Sequence, residues 1–166
     1  MIATDRVTNV LFAGLGGQGV LKASDVLAEA AFRAGHDVKK SEIHGMSQRG
    51  GSVTSDVRFG PVVLSPMIPY GETDYLIVLS EDQAELHLAS LRADGKVLSI
   101  AMVQGVELPN RKSANVALLG VLSPLVAIAD EAWEAAIVAC FPEKLRPPNR
   151  TAFACGRALA QTTMRT

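Results

Sequence analysis

The alternation of apolar and polar positions divides the chain into a first part rich in strands and a later part rich in helices. Residues 7–13 are almost continuously apolar and run into a glycine-rich turn, which predicts a buried strand. Residues 52–59 alternate apolar with polar side chains, the period of a half-buried strand. Compact apolar runs at 75–79 and 96–100 predict two further strands, and residues 36–40 predict a short one.

Helical spacing first appears directly after the glycine turn. Apolar residues recur from Val20 to Phe32, and Gly35 stands where a C-terminal cap belongs. Further helices are predicted over 80–91, 114–129 with a break or kink at Pro124, 130–140 and 150–161. Residues 41–52 are polar and aperiodic, which predicts an ordered loop, and Gly60-Pro61 predicts a turn that would pair 52–59 with 62–64 as a hairpin.

This order of elements predicts a three-layer α/β/α fold with a mostly parallel sheet. Its first unit is a Rossmann-like strand, glycine turn and helix, and an antiparallel hairpin is compatible with the rest of the sheet. The chain has 166 residues, 48 % of them hydrophobic, which is enough for one well-buried core and short for two. Residues 1–166 are therefore predicted to form a single domain.

Composition excludes several classes of function. The formal net charge is only -1, so no global field favours nucleic acid or an anionic membrane. No uncharged apolar stretch reaches the ~18 residues needed to cross a bilayer, and the N-terminal residues do not follow the pattern of a signal peptide. Cys140 and Cys155 lack the spacing of a cluster or zinc site. We expect a cytoplasmic chain with reduced thiols and no metal.

The glycine turn has two interpretations that the sequence leaves open. Residues 14–19 have the G-x-G-x-x-G spacing of dinucleotide-binding proteins, in the expected position between a strand and a helix. Amides at the start of such a helix can hold a phosphate or a carboxylate. The acidic residue expected after the second strand is missing, however, because Asp37 comes early and Glu42 late. Alternatively, the glycines only pack the helix closely against the sheet.

A second glycine-bearing segment, residues 39–52, concentrates hydrogen-bonding side chains and is the first place to look for function. His44 and Ser47 do not complete a catalytic triad, so a hydrolase is not indicated. The histidines at 36, 44 and 87 do not form an obvious metal-ligand set. Arg49 could attract a phosphate, although a solvated surface charge is the commoner role of such a residue.

Three motifs together carry a resemblance to a known family. They are residues 14–19 (GLGGQG), residues 41–53 (SEIHGMSQRGGSV) and residues 65–69 (SPMIP). In combination they resemble the gamma-type domain of 2-oxoacid:ferredoxin oxidoreductases, and residues 113–120 are similar to a further family segment. The likeness covers about residues 7–159. The His44-Gly45-Met46 form of the loop is most similar to the beta subunit of the indolepyruvate enzyme, with the pyruvate and 2-oxoglutarate gamma subunits as close alternatives.

The resemblance implies a non-autonomous subunit of an enzyme that oxidatively decarboxylates a 2-oxoacid to an acyl-CoA and reduces ferredoxin. It places thiamine diphosphate and iron–sulfur clusters on a larger partner subunit, with coenzyme A as co-substrate, and implies neither a cofactor nor a catalytic residue in this chain. We expect contacts with the larger subunit or coenzyme A at Gly14, Gly16, Gly17, Gln18, Gly19, His44, Gly45, Gln48, Arg49, Gly50 and Gly51.

Two hypotheses from other classes of function remain open. A free-standing module could use the glycine turn to bind NAD or FAD, and binding of either nucleotide by the isolated chain would favour it. A purely structural adaptor would contact no ligand, and loop variants without effect would favour that reading.

Overall fold

A computed structural model describes residues 5–45 and 50–163. One sheet contains five strands: β1 (Thr8–Leu15), β2 (Asp37–His44), β3 (Ser52–Gly60), β4 (Thr73–Val78) and β5 (Leu91–Ser99). Their order across the sheet is β2-β3-β1-β4-β5. β3 is antiparallel to both of its neighbours, whereas β4 is parallel to both β1 and β5, so all strands except β3 run in one direction. The predicted α/β class with a mixed, mostly parallel sheet is confirmed.

The α-helices are α1 (Val20–Arg33), α2 (Ala84–His87), α3 (Ala114–Leu122), α4 (Asp130–Cys140) and α5 (Arg146–Thr163). One face of the sheet is covered by the four longer helices, with α1 packed on β3 and α4, and α3 packed on α5. Val10 and Phe12 of β1 point into this main core, where they are fully buried with Trp133 of α4. The predicted unit of strand, glycine turn and helix is confirmed as β1, residues 16–19 and α1.

The opposite face of the sheet carries a smaller apolar cluster, formed by Leu11, Ala13, Leu76 and Val78. β1 therefore buries both of its faces, which explains why residues 10–13 are apolar without alternation. The cover on this side is thin. It consists of residues 61–72, which have no regular secondary structure, and of the short helical turns in residues 81–90.

The predicted loop over 41–52 is partly wrong, because β2 continues to His44. Residues 41–44 pair with β3, Glu42 opposite Ser55 and His44 opposite Val53. β2 is an edge strand with solvated polar side chains, so the apolar period that identifies a buried strand is absent. The hairpin consequently joins β2 to β3.

Residues 62–64 do not form the predicted second hairpin strand. The amide of Val63 donates to Asp37 Oδ2 at 2.7 Å instead of to a strand. The side chain of Val63 is buried, whereas the neighbouring Leu64 is 91 % exposed. A short β-branched run adjoining a turn can therefore serve as an anchored loop.

The helix predicted over 80–91 is replaced by a 3-10 turn (Glu81–Gln83), α2 and a second 3-10 turn (Leu88–Ser90). β5 begins at Leu91, before the strand predicted over 96–100, and its pairing register with β4 shifts between Leu91 and Lys96. α3 ends at Leu122, and Pro124 lies in the 3-10 turn that follows. α5 begins earlier than predicted because Pro147 and Pro148 occupy its first turn, where no amide donor is needed. The predicted bounds of α4 are confirmed.

Among the residues that the structure describes, no helix combines the length and apolar character required to cross a membrane.

Candidate functional site

The glycine turn between β1 and α1 has a backbone that favours glycine at two positions. Gly17 and Gly19 have φ angles of 89° and 82°, in the left-handed region. The side-chain oxygen of Gln18 accepts a hydrogen bond from the amide of Leu15 at 2.7 Å and closes the turn. Among the described residues, no side chain caps the N terminus of α1, and no acidic residue stands in its first turn. The start of α1 therefore keeps amide groups and a positive dipole end for an anion.

Packing explains two of the glycines and leaves two others at the surface. A Cβ on Gly14 would lie 2.7 Å from Val20 Cγ2, and one on Gly19 would lie 2.5 Å from Asn115 Nδ2. In the part of the chain that the structure describes, nothing lies within 4 Å of a Cβ on Gly17, and a Cβ on Gly16 would meet only backbone of Gly50 and Gly51, no closer than 3.5 Å. Close packing therefore accounts for Gly14 and Gly19, whereas Gly16 and Gly17 keep an accessible backbone, and anion binding at this turn stays a prediction.

The second glycine-bearing segment lies directly against the first. Gly16 N donates to Gly51 O at 2.9 Å, and Gly45 N donates to Ser52 O at 2.7 Å where the β2–β3 hairpin closes. His44 lines a small cleft of about 410 Å³ together with Gly16, Gly17 and Gly19. The structure therefore brings together all described members of the predicted set, namely Gly14, Gly16, Gly17, Gln18, Gly19, His44, Gly45, Gly50 and Gly51. Gln48 and Arg49 lie outside the described residues.

The acidic residue nearest to a ribose-binding position is engaged elsewhere. Lys40 Nζ contacts the carboxylates of Asp25 and Glu42. The hydrogen bond from Lys40 lowers the pKa of Glu42, and His44, whose Nε2 lies 3.7 Å from Glu42 Oε2, adds to the effect. In the dinucleotide-binding fold the second strand adjoins the first, whereas here β3 separates β2 from β1. The site therefore lacks the geometry that binds a nucleotide ribose in that fold.

A larger cleft of about 640 Å³ opens on the other side of the glycine turn. Gly17, Gln18 and Gly19 form one wall, and residues 110–115 form part of the opposite wall. Three basic side chains line the cleft and none of its described lining residues is acidic. The basic residues are Lys22, Arg111 and Lys112. A cationic cleft beside a helix N terminus is suited to an anionic ligand.

Asn115 joins the two walls of this cleft, which we name the basic cleft. Its side chain is buried, Nδ2 donates to Gly19 O at 3.0 Å, and Oδ1 accepts from Val116 N at 2.9 Å. Asn110 Oδ1 accepts from Lys112 N at 3.0 Å and orders the start of the same segment. Lys22 Nζ donates to Cys140 O at 3.2 Å. Hydrogen bonds therefore fix the two backbone segments from which the basic side chains extend.

Sequence reasoning did not place Lys22, Arg111, Lys112 or Asn115 in the site. The signal that could have found them is topological. β1, β4 and β5 are parallel, so their carboxyl ends meet at one edge of the sheet, where α/β proteins bind their ligands. Residues 100–115 follow β5 at that edge.

Metal-ligating side chains do not converge in residues 5–45 and 50–163, where no group of three histidines, cysteines, aspartates or glutamates is close enough to hold an ion. Cys140 and Cys155 are free thiols. Burial raises the pKa of the Cys140 thiol, which favours its neutral form.

Fold and site define an α/β protein in which a glycine turn and a basic cleft share one edge of a mixed sheet. The chain belongs to the pyruvate ferredoxin/flavodoxin oxidoreductase family, whose sequence model matches residues 9–109. An indolepyruvate oxidoreductase subunit IorB from Thermococcus kodakarensis is 36 % identical over 137 residues, which are 82 % of this chain and 66 % of the relative. The match thus covers slightly less than two thirds of that relative's length.

Solved structures show the same fold. The gamma subunit of a keto/oxoacid ferredoxin oxidoreductase from Geobacter sulfurreducens matches with a TM-score of 0.77 and 24 % identity, over 93 % of this chain and 99 % of the other. A 2-oxoglutarate:ferredoxin oxidoreductase from Magnetococcus marinus, with 2-oxoglutarate, coenzyme A and succinyl-CoA bound, matches with a TM-score of 0.79 and 22 % identity. That match covers 96 % of this chain but 32 % of the other, so the fold can be one part of a longer chain.

Proposed function

We propose that this chain is a non-autonomous subunit of a thiamine-diphosphate-dependent 2-oxoacid:ferredoxin oxidoreductase. The enzyme would decarboxylate its 2-oxoacid oxidatively, form an acyl-CoA and reduce ferredoxin. Thiamine diphosphate and the iron–sulfur clusters would be bound by a larger partner subunit, while this chain binds none of them and works in the cytoplasm. The main structural support is the junction of the two glycine-bearing segments, Gly16 N to Gly51 O at 2.9 Å, beside the basic cleft.

Indolepyruvate, or another aryl pyruvate, is the substrate that the relatives favour. The T. kodakarensis relative named as an indolepyruvate oxidoreductase subunit is 36 % identical over 137 residues, and one from Archaeoglobus fulgidus is 49 % identical over 76 residues. A relative named as a 2-oxoglutarate synthase subunit is 38 % identical over 79 residues, a lower identity over a stretch of similar length. Pyruvate and 2-oxoglutarate therefore remain the alternative substrates.

The contribution of this chain would be to hold the phosphate-bearing part of coenzyme A beside the partner's active site. Lys22, Arg111 and Lys112 supply positive charge, and the uncapped start of α1 supplies amide donors. Phosphates are bound well by this combination. The M. marinus structure of similar fold holds coenzyme A, although its 22 % identity relates the two proteins in fold alone.

The competing function, a free-standing NAD- or FAD-binding module, has less support. β3 separates β2 from β1, and Glu42 is paired with Lys40, so none of the described acidic groups at the glycine turn is free for a ribose. Titration of the isolated chain with NAD and FAD tests this alternative. Micromolar binding of either would favour the module and count against the subunit.

The deciding experiment is co-expression with a larger thiamine-dependent subunit from the same source. The purified complex is assayed for reduction of ferredoxin with indolepyruvate, phenylpyruvate and pyruvate in the presence of coenzyme A. We expect activity from the complex and none from the chain alone. Decarboxylation of a 2-oxoacid by the isolated chain, or failure of any complex to form, would refute the proposal.

A second experiment tests the basic cleft in the assembled enzyme. Replacing Arg111 and Lys112 together by alanine should raise the KM for coenzyme A by roughly tenfold or more, because charge-assisted phosphate contacts are lost, with little change in kcat. Lys144→Ala is the matched control, since Lys144 is exposed and does not line the cleft. Equal KM values for the two variants would show that coenzyme A does not bind in the basic cleft. Arg49→Ala, at a sequence-predicted site residue, is expected either to raise the KM or to weaken assembly.

A further inference from the structure

The two faces of the sheet differ in how well they are covered. Within residues 5–45 and 50–163, four helices bury one face, whereas the other is covered only by residues 61–72 and the short turns of residues 81–90. We name these two segments the thin layer. Six of the nine large hydrophobic side chains that are exposed in the described part of the chain belong to it. They are Val62, Leu64, Met67, Tyr70, Leu86 and Leu88.

The two segments of the thin layer form one surface. Both contact the apolar cluster on this face, the first through Ile68 and the second through Ala84. Asp56 of β3 lies between them, because its Oδ2 accepts from Ile68 N at 2.9 Å and its charge acts on His87. Arg58 fixes the first segment by donating to the carbonyls of Ser65 and Met67. The exposed apolar groups therefore extend from an anchored backbone.

The charges on this surface indicate the chemistry of whatever covers it. Glu72 is the one charged side chain of residues 61–72, whereas residues 81–90 carry three carboxylates, Glu81, Asp82 and Glu85, and neither lysine nor arginine. All three carboxylates are exposed. A complementary surface would be apolar opposite Leu64 and Tyr70 and basic opposite the acidic turn, because complementary charges favour association and like charges oppose it.

The thin layer is also connected to the candidate site. Ser52 Oγ, at the start of β3 beside Gly51, donates to Gln83 Oε1 at 2.7 Å, and Gln83 is buried. A partner seated on the thin layer would therefore contact a segment bonded to the second glycine-bearing loop. This connection favours the partner that the site itself requires over an unrelated protein.

We propose that the thin layer is the docking surface for the larger subunit of the oxidoreductase, which meets it with an apolar patch edged by lysine or arginine. This proposal rests on the function proposed above. The fold's occurrence as 32 % of a longer M. marinus chain is consistent with it, because that chain contains further polypeptide in addition to this fold. Leu64 and Tyr70, 91 % and 83 % exposed, are the central contacts.

The test compares assembly of the larger subunit with the wild-type chain and with two single variants, Leu64→Asp and Tyr70→Asp. Phe32→Asp is the matched control, because Phe32 is 67 % exposed but lies on α1, outside the thin layer. Circular dichroism and thermal melting establish that each variant is folded. We expect each thin-layer variant to weaken assembly by about tenfold or more, as loss of a central apolar contact does, and the control to assemble normally.

Charge reversal provides an independent arm of the test. Glu81→Lys together with Asp82→Lys should slow association and reduce its dependence on salt, because the attraction to a basic surface is lost. Faster association of this variant would mean that the partner surface is acidic, and would overturn the proposal.

The outcomes separate this proposal from the one on which it rests. If the wild-type chain forms no complex with the larger subunit, the proposed function itself fails. If the wild type assembles and both thin-layer variants assemble equally well, only the docking surface is refuted. If the isolated wild-type chain forms a dimer that Leu64→Asp dissociates, the surface is covered by a second copy, which also refutes docking of the larger subunit.

Discussion

At the scale of single residues, some glycines of the motif are needed for close packing and others leave the backbone accessible. The sequence alone does not show which glycine has which role. Its spacing and position predict the turn, and the structure agrees. The role of Gly19 could not be predicted, because the group that excludes a Cβ there is Asn115, remote in sequence and brought close by the fold. The same limit explains why Arg111 was not recognised as a neighbour of the turn. Local spacing reveals backbone conformation, but not which distant side chain fills the space beside it.

Gly19→Ala should destabilise the chain by about 2–3 kcal/mol. The left-handed conformation costs a residue with a Cβ about 1–2 kcal/mol, and displacement of Asn115 removes a hydrogen bond that contributes about 1 kcal/mol. Gly35→Ala is the matched control, because Gly35 has a φ of 90° and open space around it. Urea denaturation of both variants measures the free energies of unfolding. Equal losses would show that Asn115 moves aside without cost.

Asp74 is a second residue whose environment only the fold reveals. Its buried side chain, 4 % exposed, accepts from Arg6, from Arg92 and from the amide of Asn9. It thus connects the approach to β1, β1 itself and β5 through one carboxylate on β4.

Asp74→Ala should cost about 3 kcal/mol of unfolding free energy, because it leaves the Asn9 amide and Arg6 without their carboxylate and Arg92 with Asp94 alone. Asp94→Ala, which removes the other partner of Arg92, should cost less than about 1 kcal/mol because Asp94 is 75 % exposed. Thermal melting distinguishes the two. If Asp94→Ala lost as much unfolding free energy as Asp74→Ala, Asp74 would not be the carboxylate that connects these strands.

At the scale of elements, secondary structure was predicted correctly where a segment buries one regular face. It was predicted wrongly where contacts with distant segments determine the secondary structure. β1, α1 and α4 have apolar residues at the spacing of their own element, and all three were predicted. Residues 41–44 are strand only because β3 offers an edge to pair with. Residues 80–91 have an acidic start that is typical of a helix. They nevertheless form only short turns within the thin layer before the chain enters β5. Propensity is a weak guide in such connections.

His87 makes the thin layer sensitive to acid. Burial lowers the pKa of His87 from its ordinary value of 6.5, and the charge of Asp56 partly offsets this. The stability that neutral His87 contributes is therefore present above its ordinary pKa and is lost as pH falls through its lowered pKa in the folded state. Asp56 acts with the opposite sign in a more acidic range, because burial raises its pKa above 3.8.

His87→Gln should consequently reduce the fall in Tm between about pH 7.5 and 5.5. His44→Gln is the control, because His44 is exposed at the end of β2 and lies outside the thin layer. Tm is measured across this range for both variants and the wild type. An unchanged pH profile in His87→Gln would show that the thin layer does not carry the acid sensitivity.

At the scale of the whole molecule, the two faces of the sheet share strands rather than forming independent units. β1 places Phe12 in the main core and Leu11 in the cluster under the thin layer. Loss of the main core would therefore expose the other face of the same strand. Sequence length predicted one core, but which residues connect the two faces became clear only with the order of the strands.

We therefore expect the isolated chain to unfold as one cooperative unit, consistent with a single domain. Trp133, the only tryptophan, is 1 % exposed in the main core, so its fluorescence follows the helical face, while far-ultraviolet circular dichroism follows all elements. In urea the two signals should give one midpoint and the same slope, about 2–3 kcal/mol per molar. Leu76→Ala creates a cavity in the cluster under the thin layer and should lower both midpoints together. A shift in circular dichroism alone would mean that the two faces unfold separately.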